Sequence, residues 1–569
     1  MRMKKLFILL LISALLLALT GCSGGDCLVL AEDGKTAYSI VNYLSDDEAA
    51  RSFSTKMIAK TKATIPVVSD PGDGKSVIYV GMPETLAEAA GVSGETFLGS
   101  YQIKANGDCL YVIVSDESVA MDAIAMLRDA VEKISDGKFG LKKDTDLVGS
   151  ICGTQELAPA FTTAQGTASR IHNCGGGFYE YVYSEMDPAA SPAEIAAYEK
   201  SLTAAGFTLY SEKNIDANRH FTYTKGETMV HGNYFPNMKE FRVVFGAKGY
   251  LPDTAPIECE KVVTPSFTNI GVSANTMGMI FQASDGSFVV IDGGYDTAAP
   301  YDKVLNSGEK NERVVPITPD VDADMEAFMT FMKENTPGGG KPQVTWMITH
   351  ADPDHILMPP LFFEKYKDEF DLNTICYNFP DYNEIGLSNG NPDKFAGYAE
   401  NFIKTAKDCF PNVNSYIYHT GEQLQLPGNA YIEFLFTHED YWPSEMPWMN
   451  HTSGIWRICA EGKTILILGD AESGPNSRVA REYGSYMKSD ILQPSHHGAN
   501  GGALVLYKLV DPTVCFWSCQ QYHLDYDNRQ MGVKTGYEFN QFLRQSPNVI
   551  ADYSCSETAT VLLPSLEKK

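Results

Sequence analysis

The sequence predicts an α/β protein whose metal-bearing C-terminal half follows two smaller α/β units. Two observations predict this. Residues 27–152 and 153–258 mix β-rich runs with helical stretches bounded by capping and turn signals. In the second half, three apolar, strand-like runs each end in side chains able to hold a metal. Gln343–Ile348 leads into Thr349-His350-Ala351-Asp352-Pro353-Asp354-His355, Ile465–Leu468 into Gly469-Asp470, and Ile491–Gln493 into Pro494-Ser495-His496-His497-Gly498. Eight of the 11 histidines lie after residue 349, so the chemistry is expected there.

The chain opens on Met1-Arg2-Met3-Lys4-Lys5, a basic start, followed by an almost wholly apolar stretch from Leu6 to Leu19. Leu19-Thr20-Gly21-Cys22 matches a bacterial lipoprotein signal, with cleavage before Cys22 and lipidation of its thiol. The apolar stretch is shorter than the ~20 residues a membrane span needs. Residues 1–21 are therefore expected to be a signal peptide. The mature chain is expected to be exported, lipid-anchored to the cell membrane and outward-facing.

Residues 22–152 are expected to be an α/β accessory domain. Ser45-Asp46-Asp47-Glu48 opens a helix to about Lys62, and strands follow at Ile65–Val68 and Val77–Val80. Tyr101–Lys104 and Cys109–Val114 flank a hairpin signal, and a helix from Ser118 to about Ile134 closes the unit. Gly74-Lys75-Ser76 leads into a strand rather than opening a helix, which makes it a turn and not a phosphate loop.

Residues 153–258 are expected to be a second, α+β accessory domain. Ser191-Pro192-Ala193-Glu194 is a capping-box pattern, and four strands follow between Phe207 and Phe245. His172, His220 and His231 lack a neighbouring carboxylate or cysteine cluster in sequence and are read as structural. Cys174-Gly175-Gly176-Gly177 precedes an aromatic strand rather than a helix, which argues against nucleotide binding. The 12 cysteines are scattered and suggest no disulfide framework.

Net charge is −27, from 72 acidic against 45 basic residues. Tight binding of long nucleic acid is not expected, because phosphate contacts need clustered Lys and Arg.

His350, Asp352, Asp354 and His355 fall within six residues, where a buried strand runs out into a loop. Imidazole mixed with carboxylate suits Zn, Mn or Fe better than Ca, which prefers oxygen alone. The order HxDxDH, GD, HHG resembles the metallo-β-lactamase fold. The GD and SHHG forms look most like the hydrolase domain of bacterial DNA-uptake (competence) channels. Ser284–Gly294 is similar to that fold's early strand and DGG turn. Two features depart from the pattern: Asp352 stands where most of the superfamily has His, and Ile356-Leu357-Met358 replaces a glycine-containing continuation.

The resemblance implies an αββα sandwich over residues 259–569 and a metal-dependent hydrolase with two divalent ions, Zn or Mn/Fe. A water activated between them would attack a phosphodiester or related ester. By the same resemblance His350 and Asp352 hold one ion, Asp354 and His355 the other, and Asp470 bridges. His496 completes the second set, while His497 is the alternative ligand, a supporting group or a substrate contact. Asp354 is also expected to serve catalysis. His451, in Asn450-His451-Thr452-Ser453-Gly454, is either a ligand of the first ion or a loop histidine at the rim. His523 is a candidate proton donor or phosphate contact, and Asp292 is expected to shape its turn and support a ligand. Tyr441-Trp442-Pro443 and Pro447-Trp448 are a pocket wall or ordinary loop packing.

The substrate is expected to be a small molecule or envelope-derived. Two rivals stand beside this reading: a non-catalytic binding lipoprotein that keeps the fold, and a hydrolase of a lactone, amide or envelope component.

Overall fold

The computed structural model describes residues 26–569 apart from 73–75, 154–155, 165–167, 169, 275, 297–300, 306–312, 318, 384, 386–390, 442–447, 499–500 and 525–533. The signal peptide, Cys22, Gly74-Lys75 and Trp442 therefore lie outside the described residues. Among the described residues no helix is long and apolar enough to cross a membrane.

The chain divides into two compact units, Met1–Thr162 with Glu194–Gly206, and Thr163–Ala193 with Phe207–Lys569. The first is built on a six-stranded sheet in the order Val67–Val68, Ser39–Asn42, Val77–Gly81, Cys109–Val114, Ser100–Asn106, Asp146–Ser150. Helices Glu48–Thr61 and Ala120–Ala130 close its core through Phe53, Met57, Ile124 and Leu127. The helix expected to reach Ile134 stops at Ala130. Beyond it, Glu132–Ser135 pairs with Lys138–Lys142 around Asp136-Gly137, where Gly137 has φ 75°. An Asp-Gly pair between two β-capable runs forms a tight hairpin, and that local signal overrides helical continuation.

The second unit contains the sheet of residues 170–247 together with everything from 259 onward. The boundary expected at 258/259 thus falls inside one unit, and buried polar contacts explain why. Arg242, 1% exposed, donates to Glu180 Oε2 at 2.9 Å and to the Glu439 carbonyl at 2.7 Å. Arg478 donates to Glu240 at 2.9 Å and to Glu482 at 2.6 Å. Removing one partner of such a buried pair strands a charge, so these contacts hold the sheet to the sandwich.

The sandwich has two seven-stranded sheets. The first runs Asn414–Ile417, Asp371–Tyr377, Gln343–Met347, Phe288–Ile291, Met279–Gln282, Ser266–Asn269, Ala559–Leu562. The second runs Gln423–Leu426, Ala430–Phe436, Ile455–Ala460, Lys463–Ile467, Ile491–Gln493, Val514–Phe516, Ala551–Tyr553.

Successive strand residues point to opposite faces, so a strand buried on both sides is apolar throughout. Val289 and Ile291 meet Ile465 and Ile467 between the sheets. Phe288 and Val290 face outward to Phe328, Met332 and Phe362 of helices Val321–Asn335 and Met358–Tyr366. On the far side Leu466 and Leu468 pack under Val479, Leu506 and Leu543 of helices Ser473–Tyr483, Leu504–Val510 and Lys534–Arg544. The layers are thus helix, sheet, sheet, helix, an αββα sandwich. In the first sheet, Phe288–Ile291, Gln343–Met347 and Asp371–Tyr377 run parallel. Lys463–Ile467 and Ile491–Gln493 do so in the second, which brings the segments after each strand to one edge.

Candidate metal centre

Asp292 follows the strand Phe288–Ile291 with φ 55°, in the left-handed region that Asp tolerates better than most residues. The turn directs its carboxylate inward, fully buried. Thr349 donates its backbone N–H to Oδ1 and its hydroxyl to Oδ2, both at 2.7 Å. His355 Nδ1 lies 2.7 Å from the same Oδ2. Since that oxygen only accepts, Nδ1 carries the proton and Nε2 presents a lone pair. Pro353 opens the short helix Pro353–Ile356 after the extended Asp352, and this turn carries Asp354 and His355.

Asp470 follows Gly469, whose φ is 54°. Gln493 Oε1 accepts from the N–H groups of Leu468 and Gly469, each at 2.8 Å, tying the end of one strand to the next. His496 and His497 both adopt positive φ, 49° and 52°. Two successive non-glycine residues in that region are strained, a feature that collects at functional sites. His497 Nδ1 donates to the Ser518 carbonyl at 2.6 Å, again leaving Nε2 as the free lone pair.

Asp354, His355, Asp470 and His497 thereby converge, each offering one ligand atom within 4.8 Å of all the others. His497 Nε2 is 3.0 Å from Asp354 Oδ2 and 3.2 Å from Asp470 Oδ2. His355 Nε2 is 3.2 Å from Asp470 Oδ2 and 3.9 Å from Asp354 Oδ1. Atoms placed tetrahedrally about 2.1 Å from one ion are ~3.4 Å apart, within the range seen here. His350 Nε2, His355 Nε2, His497 Nε2 and Asp470 Oδ1 are buried without a hydrogen-bond partner among the described residues. Orphaned polar atoms of this kind are costly, and a divalent cation among Asp354, His355, Asp470 and His497 would satisfy the last three. The residues fit a metal.

Electrostatics agree with that reading. Burial opposes the charge on His497, but Asp470 and Asp354 outweigh it and raise its pKa to about 10. His355 is likewise raised well above its ordinary value, against burial, by Asp470, Asp292 and Asp354. Despite burial, Asp354 is lowered to about 2 by His355 and His497. Asp470 falls well below its usual range through the same histidines and His496. The site holds its carboxylates ionised and attracts positive charge.

The structure brings His497 rather than His496 into the group of four. This reverses the expected order of the pair, because His497 is anchored on the Ser518 carbonyl. His496 instead lies with Nδ1 2.9 Å from Glu472 Oε1 and Nε2 3.1 Å from Asn450 Nδ2; its Nε2 is 3.9 Å from Asp470.

His350 lies beside His355 with ring centroids 4.3 Å apart and the rings tilted by 53°, and its Nε2 is 3.7 Å from Asp352 Oδ2. These two residues stand next to the group of four without belonging to it. His451 is buried in a short helical turn, Met449–Thr452, also outside that group. His523 lies in the short helix Gln521–Leu524, and its side chain lies outside the described residues. Tyr441's side chain, Trp442, Pro443 and Pro447 lie outside them as well, whereas Trp448 is 51% exposed.

Three supporting groups escaped the sequence. Glu472 could have been read from Gly469-Asp470-Ala471-Glu472. Ser518 acts through its backbone carbonyl, which leaves no sequence signal, and Thr349 looks like an ordinary strand residue. The sequence also missed a carboxylate beside His172. Cross-strand register sets Glu180 opposite His172, and Cys174 Sγ is 3.5 Å from His172 Nε2. Arg242 already gives Glu180 a cation, and burial raises the Cys174 thiol well above its ordinary value. His172, Cys174 and Glu180 form a buried, hydrogen-bonded trio whose atoms also lie close enough to one another to hold an ion.

No family model matches the sequence. Among solved structures, the chain is similar to a point mutant of CmlA beta-hydroxylase at 12% identity and TM-score 0.29, over 53% of this chain and 55% of that one. It is also similar to Zn(2+)-bound PqqB from Methylobacterium extorquens, at 11% identity and TM-score 0.23 over 40% of this chain and 72% of that one. A third likeness is to a "Putative metal-dependent hydrolase" from Parabacteroides distasonis, at 10% identity and TM-score 0.25 over 62% of this chain and 99% of that one. The chain thus spans little more than half the length of CmlA. These likenesses are distant, and the functional reading rests on the site itself.

Proposed function

We propose that this chain is a metal-dependent hydrolase, lipid-anchored outside the cytoplasm, that cleaves a phosphodiester or related ester. The observation that carries the proposal is the convergence of the His355 and His497 Nε2 lone pairs with Asp354 and Asp470 at one sheet edge. Two divalent ions, Zn or Mn/Fe, would supply a water with its pKa lowered toward ~7 and a positive charge for the developing oxyanion.

The chain's own residues do the rest. Asp354, His355, Asp470 and His497 form the stronger position. His350 and Asp352 form the weaker one, with His451 as a further candidate ligand. The carboxylate of Asp352 in place of an imidazole makes that position harder, hence more receptive to Mn or Fe. Asp292 and the Ser518 carbonyl hold the two imidazoles in the tautomer that exposes Nε2. Asp354, whose side chain is 18% exposed, orients the attacking water while staying ionised. His523 is a candidate proton donor to the leaving group. The acidic charge balance favours a small or envelope-derived substrate over long nucleic acid. The competence-channel likeness extends to chemistry rather than to substrate.

The test is Asp470→Ala, followed by elemental analysis and by hydrolysis of bis(p-nitrophenyl) phosphate and a lactone panel. Both metal occupancies should fall and hydrolysis should disappear. Full occupancy after loss of Asp470 would overturn the assignment. Turnover of lactones with no phosphodiester cleavage would replace the substrate class.

A further inference from the structure

The strands Arg170–Gly175 and Phe178–Tyr183 form a hairpin whose register sets His172 opposite Glu180. Directly opposed residues share a face of the sheet, so the two side chains meet. Cys174 is left unpaired by a bulge between Asn173 and Gly175, and the three glycines after it, at φ 85°, 62° and 86°, turn the chain. His172 is 7% exposed, Cys174 2% and Glu180 0%.

Three kinds of donor therefore meet out of reach of solvent. Cys174 Sγ is 3.5 Å from His172 Nε2, which is 3.3 Å from Glu180 Oε2. One ligand atom from each residue lies within 4.8 Å of the other two. Around a tetrahedral zinc ion, Zn–S of about 2.3 Å and Zn–N and Zn–O of about 2.0–2.1 Å set sulfur ~3.6 Å and oxygen ~3.4 Å from the nitrogen. Both observed separations match. Hydrogen bonding alone leaves a remainder, because Glu180 Oε1 is buried with no hydrogen-bond partner among the described residues. An ion taking both Glu180 oxygens would have four donor atoms.

Charge is also accounted for. Glu180 Oε2 accepts from Arg242 at 2.9 Å, and Arg242 has a second carboxylate, Glu240, at 2.9 Å. Zinc, a Cys174 thiolate and the Glu180 carboxylate sum to zero, so the burial adds no uncompensated charge. Burial, then the charges of Glu439 and Glu180, hold the Cys174 thiol well above its ordinary value. It is thus a neutral S–H until a metal displaces the proton.

We propose that His172, Cys174 and Glu180 bind a structural zinc ion, at a site that shares no residue with the hydrolase centre. On binding, the Cys174 S–H bond breaks, its proton passes to solvent and the sulfur donates the freed pair to zinc; nothing is oxidised or reduced. Thiolate with imidazole selects zinc over Mn or Ca. The Cys174 carbonyl accepts from His438 Nε2 at 2.9 Å, so the ion fixes the hairpin where it meets the sandwich.

Cobalt(II) reports a thiolate directly, since sulfur-to-cobalt charge transfer absorbs in the near ultraviolet, and the hydrolase centre has no cysteine among its ligands. The full chain is produced with Co2+ for absorption and with Zn2+ for elemental analysis. Parent and Asp470→Ala should both show the band. Cys174→Ser, a change of one atom, should lose it together with about one zinc per chain. A parent without the band overturns the proposal, as does a band that survives in Cys174→Ser or disappears in a folded Asp470→Ala. Should Cys174→Ser fail to fold, zinc X-ray absorption on the parent decides. A sulfur neighbour at about 2.3 Å supports the site, and a shell of nitrogen and oxygen alone overturns it.

Discussion

Asp292 holds His355: its carboxylate Oδ2 stands 2.7 Å from Nδ1, with both side chains fully buried and 63 residues apart in sequence. The pair fixes which nitrogen carries the proton, and so which nitrogen faces Asp470. A metal position built on His355 should therefore depend on a residue that touches no metal.

Asp292→Asn tests this dependence. The amide still accepts from Thr349 N, and Asn also tolerates the positive φ, but its NH2 cannot accept from Nδ1–H. Metal affinity should fall by about 10–100-fold, the usual cost of losing such an orienting partner. Equilibrium dialysis against Zn2+ and Mn2+ measures it, and unchanged affinity would mean that His355 needs no such help.

The paired histidines should separate cleanly. His497→Ala should lose the tightly held ion and hydrolysis together, because its Nε2 faces both Asp354 and Asp470. His496→Ala removes contacts to Glu472 and Asn450 and should keep that ion. Elemental analysis of the two variants decides the matter; the opposite pattern would restore His496 as the ligand.

Without metal, the centre should show a characteristic pH response. His497 is raised from 6.5 to about 10, so its contribution to stability is complete below pH 6.5 and is lost as pH rises through 10. Asp354 is lowered from 3.8 to about 2, so its contribution is present above pH 3.8 and is lost as pH falls through 2. Metal-free protein should therefore gain most from this cluster between these limits, and its melting temperature should decline toward alkaline pH. Metal affinity should run the other way, rising with pH as the imidazoles give up their protons. Calorimetry on chelator-treated and metal-loaded protein compares the two. A metal-free melting temperature that climbs from pH 6.5 to 10 would contradict the coupling.

Location has its own variant. If Cys22 carries the lipid, Cys22→Ala should release the protein from the membrane fraction or leave it unprocessed. Membrane anchoring of a mature-sized Cys22→Ala protein would sink the lipoprotein proposal. Fractionation with mass analysis of the N-terminus provides the readout.

Sequence alone made the sandwich legible, because its signals are local. Apolar runs such as Ile465–Leu468 mark strands buried on both faces, and ligand-type residues stand where such runs end. The same patterns marked candidate ligands by type, among them Asp354, His355, Asp470 and the two adjacent histidines, of which the structure groups Asp354, His355, Asp470 and His497. Only tertiary structure chose between those histidines. An imidazole's direction depends on what its other nitrogen bonds, and for His497 that is a carbonyl 21 residues away. The same holds for Glu180, which meets His172 only through strand register. It holds again for the sheet of residues 170–247, joined to the sandwich by Arg242 and Arg478. Burying a charge requires a partner supplied by the fold, and no local pattern records where in the chain that partner lies.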